Sequence, residues 1–177
     1  MAIQPGTNKQ IPDHAIMDFY NKQNYLGNRY NYVNSDIQFT STSEQPLFLI
    51  KNPAVTASSF PANYISLFCD LRSVLTLTAG ANAIIRVYFN PTISSAGTPV
   101  TPVNSRIASP NTPVAVATSL PTIAANGKLV DSLSSAAPSR DLSASLLIVD
   151  PGNSLLFTVQ PSANPTDISY QTSWYEL

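Results

Sequence analysis

The stretch Asp167-Ile168-Ser169-Tyr170-Gln171-Thr172-Ser173-Trp174-Tyr175 places Ile168, Tyr170, Thr172 and Trp174 at every second position. Successive side chains of a strand point to opposite faces, so these four share one face. A helix would scatter them around its axis. The same period of two recurs upstream in Ile37-Gln38-Phe39-Thr40 and, more loosely, in Leu47-Phe48-Leu49-Ile50. It returns in Tyr64-Ile65-Ser66-Leu67-Phe68-Cys69, Val74-Leu75-Thr76-Leu77-Thr78 and Ala83-Ile84-Ile85-Arg86-Val87-Tyr88-Phe89. Each run is short, rich in β-branched and aromatic residues, and bounded by Gly, Asn, Asp or Pro. Further on, Ser145-Leu146-Leu147-Ile148-Val149 meets Ser154-Leu155-Leu156-Phe157-Thr158-Val159 across Asp150-Pro151-Gly152-Asn153. Pro-Gly at the centre of four residues suits a type II turn, because proline presets φ and glycine accepts a positive one. Short strands at this spacing predict an all-β chain: an antiparallel β-sandwich, jelly-roll-like, with an extended N-terminal arm.

Composition agrees. The chain has 177 residues, enough for one domain, or one domain plus a long arm. Charged residues are 11%, against about 25% in an average soluble domain. Fifteen prolines against six glycines, with few Glu and Lys, disfavour helices. The net charge of -1 lacks the positive excess that gripping a phosphate backbone requires, so no nucleic-acid partner is expected. No apolar run reaches the length of a membrane span. The first residues do not read as a secretory signal, and synthesis in a cytoplasm is expected.

The rare residues limit the chemistry. A single cysteine, Cys69, cannot form an internal disulfide, and with the single histidine, His14, it cannot build a Cys/His zinc site. His14 sits in a polar stretch marked by Pro12, a poor place for a preorganised base. Cys69 shares a face with Ile65 and Leu67 and reads as a small core residue. The glycines are isolated, so no phosphate-cradling loop exists. The ten acids are scattered, and Asp131, Asp141 and Asp150 stand in turn or cap contexts. No cofactor, metal or catalytic residue is expected; a glycan-cleaving pair of acids is the remaining enzymatic reading.

The chain divides near residue 36. Residues 1–36 lack aliphatic periodicity and are rich in Asn and Gln; a short helix after Pro12 is one reading of residues 13–20. Residues 37–177 read as the sandwich. Five aromatics stand in the first segment: Phe19, Tyr20, Tyr25, Tyr30 and Tyr32. One reading makes the segment an anchoring arm that touches a partner through them. The other makes them complete the core or cover a sheet edge. Residues 90–144 place proline at short intervals and read as edge strands and long loops, with strands at 114–118 and 128–130. Val100, Val103, Val114, Val116, Leu120 and Ile123 there need burial, and a neighbouring copy of the chain is one way to supply it.

Two motifs carry a resemblance. One is Asn90-Pro91-Thr92 followed by Gly97-Thr98-Pro99-Val100-Thr101-Pro102-Val103-Asn104-Ser105-Arg106. The other is Leu146-Leu147-Ile148-Val149-Asp150-Pro151-Gly152-Asn153-Ser154-Leu155-Leu156, with the later Ser173-Trp174-Tyr175-Glu176. Over roughly residues 60–177 these resemble the β-sandwich structural proteins of tailed bacteriophages, of the capsid decoration (cement) and head-fibre type. The resemblance implies a homotrimer on the outer surface of a virion, bridging subunits of the phage major capsid protein and stabilising the head. It brings no catalytic residues. The competing expectation is a tail-fibre or adhesin-type sandwich that holds host carbohydrate.

Overall fold

A computed structural model of the chain describes residues 25–55, 67–76, 81–135 and 147–176, without the side chains of 36, 67–76 and 135. His14, Phe19 and Tyr20, and with them most of the arm, lie outside the described residues, as does the side chain of Cys69.

The described strands, in chain order, are β1 (Arg29–Phe39), β2 (Gln45–Lys51), β3 (Leu67–Thr76), β4 (Ala83–Phe89), β5 (Thr92–Ser95), β6 (Thr98–Pro99) and β7 (Val103–Asn104). They continue with β8 (Val116–Ser119), β9 (Thr122–Ala125), β10 (Lys128–Ser135), β11 (Leu147–Val149), β12 (Ser154–Pro161) and β13 (Thr166–Glu176). One sheet has the order β11-β3-β13-β1-β7 and the other β10-β4-β12-β2-β8-β6, while β5 and β9 form a small third sheet. All the pairings are antiparallel. Setting β5 to β9 aside leaves eight strands that alternate between two four-stranded sheets, β1-β13-β3-β11 and β2-β12-β4-β10. That is the order of a jelly roll, two Greek keys folded into one sandwich.

The alternation in β13 becomes its burial. Ile168, Tyr170 and Trp174 enter the core, while Asp167, Ser169 and Gln171 are half-buried. From Thr172 onward the other face is buried too, with the Arg29 guanidinium 5.3 Å from the centre of the Tyr175 ring. Facing them across the sandwich are Phe48 and Ile50 of β2, Ile85 and Val87 of β4, and Leu155, Phe157 and Val159 of β12. Phe48 is the hub: its ring centre lies 5.7 Å from Tyr32, 6.0 Å from Phe157, 6.1 Å from Tyr170 and 6.4 Å from Trp174. Burying each such aromatic contributes about 1.5–3 kcal/mol. Outside the second sheet, Ile93 of β5 and Ile123 of β9 pack on Leu49, Tyr88 and Leu156, adding a third layer.

Three expectations change. The sandwich does not start at residue 37: residues 29–36, read as the end of an arm, are the first part of β1, and residues 29–34 pair with β13, Tyr30 and Asn31 also with β7. Tyr30 and Tyr32 do there what Ile or Leu does in the other strands. Residues 67–69 and 74–76, the described parts of the runs 64–69 and 74–78, belong to one strand, β3, because Asp70-Leu71-Arg72-Ser73 contains neither Gly nor Pro to break it; a register shift opposite Gln171 and Thr172 takes up the misfit. The turn at 150–153 has the expected geometry, with Gly152 at φ 83° and the Asn153 N–H donating to the Asp150 carbonyl at 3.2 Å. Its two strands do not pair with each other, however. β11 pairs with β3 in the first sheet and β12 with β2 and β4 in the second. A type II turn does not match the twist of a tight hairpin, and here it carries the chain from one sheet to the other.

Residues 90–127 leave the second sheet and return to the same place, since Phe89 and Lys128 are directly paired. The base of this excursion is pinched. Gly127 has φ 84°, and a Cβ there would lie 2.4 Å from the Phe89 carbonyl oxygen, so no larger residue fits. Between these points the chain adds β6 and β8 to one edge of the second sheet and β7 to the edge of the first beside β1. Edge strands of two to four residues leave little unpaired backbone for another chain to use.

Candidate binding surface

The excursion is where chemistry-bearing residues gather outside the core. Its loop 105–115 lies at the sandwich end where β1 begins and β13 finishes. Side-chain amides fasten it to residues 25–27. Asn104 Nδ2 donates to the Gly27 carbonyl at 2.7 Å, and Asn111 Nδ2 to the Leu26 carbonyl at 3.0 Å. Arg106 Nη1 donates to the Tyr25 carbonyl at 2.9 Å, and its guanidinium carbon lies 5.4 Å from the centre of the Tyr25 ring. The Ser105 N–H donates to the Arg29 carbonyl at 2.8 Å, and Asn31 Nδ2 to Ser105 Oγ at 2.7 Å. Gly27, at φ 74°, lets the two segments touch: a Cβ there would lie 2.2 Å from Ser109 Oγ.

Glu176 fixes the other side of the loop. Its carboxylate is buried and accepts from Val114 N at 2.8 Å, Ala115 N at 3.0 Å and Trp174 Nε1 at 3.0 Å. Its own N–H donates to the Asn28 carbonyl at 3.0 Å. An open cleft of about 430 Å³ lies above, lined by Asn28, Tyr30, Asn111, Thr112 and Val114. Burial pushes the Tyr30 phenol above its ordinary range, and the nearby Glu176 charge pushes it further, so it remains protonated at neutral pH.

The carboxylates of Glu44, Asp131 and Asp167 also have structural partners. Glu44 pairs with Arg86 Nη1 at 3.0 Å and accepts from Thr158 Oγ1 on the outer face of the second sheet. Arg86 also donates to Gln160 Oε1 at 2.9 Å. Burial and a hydrogen bond to Glu44 raise the Tyr88 phenol. Asp131 accepts from the Ser132 N–H at 2.8 Å, and Asp167 from Gln38 Nε2 at 3.3 Å. Asp150 takes part in the turn already described through its main-chain carbonyl. Among the described residues no three His, Cys, Asp or Glu side chains converge in a set that could hold a metal ion. A groove of about 480 Å³ at the opposite end is lined by Ala83, Ile84, Ser134, Gln160 and Pro161, with no carboxylate among its described lining residues.

Of the five aromatics assigned to the arm, the structure places three, and it does not bring them onto one surface. Tyr30 stacks on Trp174 at 6.0 Å inside the core, and Tyr32 is half-buried against Phe48. Only Tyr25 faces solvent, 74% exposed. The apolar residues of the excursion divide as well. Val100 packs on the core and Ile123 on the third layer, whereas Val103, Val114, Val116 and Leu120 are exposed. Ile107, which no periodicity singles out, is the most exposed of the described large hydrophobic residues, at 93%. The bonds that tie Glu176 to Val114 and Ala115, Asn104 to Gly27 and Asn111 to Leu26 span some 60 to 85 positions and leave no local pattern in the sequence. No protein-family model, curated protein or solved structure matches this chain.

Proposed function

We propose that this chain is a structural protein of a virion, a capsid decoration or cement protein. It sits on the outer surface of a phage head, bridges major capsid subunits and stabilises the shell. The observation that carries this reading is the pairing of a closed jelly-roll body with a rigidly fastened excursion that presents apolar side chains to solvent. Glu44, Glu176 and Arg86 serve the fold, and the most exposed of the described large hydrophobic side chains, Ile107, stands on the loop fastened by Asn104, Arg106 and Asn111. That is the distribution expected of a protein valued for shape and adhesion. Prefixing the contact surface reduces the ordering cost of binding. Low net charge suits a position outside the shell, away from packaged DNA. Synthesis in the host cytoplasm follows from the same reading.

The test is to label the chain on assembled particles. A copy number that follows the shell lattice, together with lower thermal stability of heads stripped of the protein, is the expected result. A handful of copies at the tail overturns it and favours the second reading, an adhesin module for host carbohydrate. That reading stands on Tyr25, an exposed ring beside Arg106 and Asn111, the residue types that hold sugars. Retention on a glycan array, lost on Tyr25→Ala, would establish it.

A further inference from the structure

The pinch at the base of the excursion holds a chemically reactive pair of residues. Asn126 and Gly127 form the whole link between β9 and β10, and theirs is the only Asn-Gly sequence in the chain. The fold demands the glycine. At φ 84° a Cβ on residue 127 would lie 2.4 Å from the Phe89 carbonyl oxygen and 2.8 Å from the Asn90 carbonyl carbon. The same missing Cβ leaves the Gly127 nitrogen uncrowded where it faces the side chain of Asn126. Both residues lie outside the strands; Gly127 is exposed and Asn126 half-buried. The Gly127 N–H makes no hydrogen bond among the described residues, so no ladder bond holds the nitrogen away from that side chain.

We propose that Asn126–Gly127 is a self-modification site, at which the chain converts its own asparagine amide into a carboxylate. The Gly127 nitrogen attacks Asn126 Cγ. The N–Cγ bond forms, the Cγ–Nδ2 bond breaks, and the proton lost from Gly127 leaves with the amide nitrogen as ammonia. A five-membered succinimide ring remains. Water then opens it at one of two carbonyls. Attack at Cγ gives aspartate with the original main chain. Attack at the main-chain carbonyl carbon gives isoaspartate, in which the chain runs through Cβ and Cγ. Nothing is oxidised or reduced, and water is the only co-reactant. The surroundings give the change a consequence. Asn126 hydrogen-bonds the Tyr88 phenol, which also bonds to Glu44. An amide NH₂ can donate to the phenol oxygen, whereas a carboxylate only accepts, and the phenol has one proton to share between two carboxylates. Isoaspartate also lengthens the link by one carbon at the point where Gly127 is pressed against Phe89. Conversion therefore loosens the base of the excursion where β10 begins.

The experiment is incubation of the purified full chain at mildly alkaline pH, folded and in parallel in denaturant, followed by peptide mass spectrometry. Replacing NH₂ by OH changes the mass, and fragmentation assigns the change to one residue. Trypsin releases residues 107–128, which hold Asn111 and Asn126 together. Asn111 precedes the β-branched Thr112 and is the internal control. In the folded chain Asn126 is expected to convert about tenfold faster than Asn111, or more. Asn126→Gln, whose side chain must close a larger ring, is expected to abolish the change at that position. The near-ultraviolet circular dichroism of Trp174, the sole tryptophan, checks that the variant is folded. Equal rates at the two asparagines overturn the proposal, as does conversion of Asn126 in denaturant alone, which would show that the fold shields the pair. The consequence is read separately. Converted chains carry one more negative charge and separate by ion exchange, and hydrogen exchange at Lys128 and Leu129 is expected to be faster in them than in unconverted chains. Unchanged exchange there overturns the loosening.

Discussion

Trp174 and Ile107 belong to one chain at 0% and 93% exposure, and they are positioned by different means. Trp174 is fixed by what packs against it: Tyr30 and Phe48 on its faces, and the Glu176 carboxylate on its indole N–H. Ile107 is fixed by hydrogen bonds of its neighbours and is itself left in water. The eight long strands bury apolar side chains to gain stability. The excursion uses amide hydrogen bonds to keep apolar side chains exposed. Exposing an apolar group contributes nothing to folding, so the stability of the excursion rests on those hydrogen bonds rather than on Ile107.

Removing Trp174 tests the body of that comparison most severely. Trp174→Ala opens a cavity at the meeting point of both sheets and is expected to cost about 3–5 kcal/mol. The midpoint of guanidinium unfolding reads this directly. A loss below about 1 kcal/mol would mean that the core does not depend on its aromatic hub.

Glu176 joins the two regions, and its removal is the next largest effect. Glu176→Ala leaves Val114 N, Ala115 N and Trp174 Nε1 without their acceptor. Bonds to a charged acceptor contribute about 1.5–3 kcal/mol each, and some donors regain water when the loop loosens. A net loss of about 2–3 kcal/mol is therefore expected. Glu176→Gln recovers only part of this, because its amide NH₂ meets the Val114 N–H donor to donor. Hydrogen exchange at Val114 and Ala115 is expected to accelerate more than exchange in β12. Uniform acceleration would show that body and excursion open as one unit.

These two residues also mark what was legible beforehand. Trp174 could be placed because β13 repeats its pattern within a few residues: Ile168, Tyr170, Thr172 and Trp174 announce a buried face without reference to any other strand. Glu176 could not, because its partners Val114 and Ala115 are some 60 positions away. The start of β1 failed for a different reason. Tyr30 and Tyr32 alternate correctly, but Asn31 and Asn34 between and beyond them, and the Asn-rich run before them, hide a core strand behind the composition of a loop. The turn at 150–153 was half legible. Pro151-Gly152 determines its local geometry, while the sheet that each flanking strand joins depends on register with β3 and β2. Nothing local announces Ile107 either, since exposure is set by where the loop is tied.

Alkaline pH gives a smaller effect, confined to the body. Burial, reinforced by Tyr32, pushes the Tyr170 phenol well above its ordinary value of 10.0, and burial raises Tyr30 and Tyr88 in the same direction. A phenol that holds its proton more tightly in the folded chain stabilises the fold fully below the unfolded value. That contribution is lost as pH rises from there towards the folded value. By about pH 11, one unit above the unfolded value, Tyr170 alone is expected to cost roughly 1.4 kcal/mol. Thermal unfolding between pH 8 and about 11 measures it, and Tyr170→Phe, which has no proton to lose, is expected to flatten the decline.

The smallest effect tests the excursion, and its smallness is informative. Ile107→Asp changes a side chain that the folded monomer leaves almost wholly in water, so the stability of dilute, monomeric protein should shift by no more than about 0.5 kcal/mol. The guanidinium unfolding midpoint reads it. A loss above about 1 kcal/mol would mean that Ile107 packs against the folded chain, and that the excursion holds its apolar side chains in the way the body does.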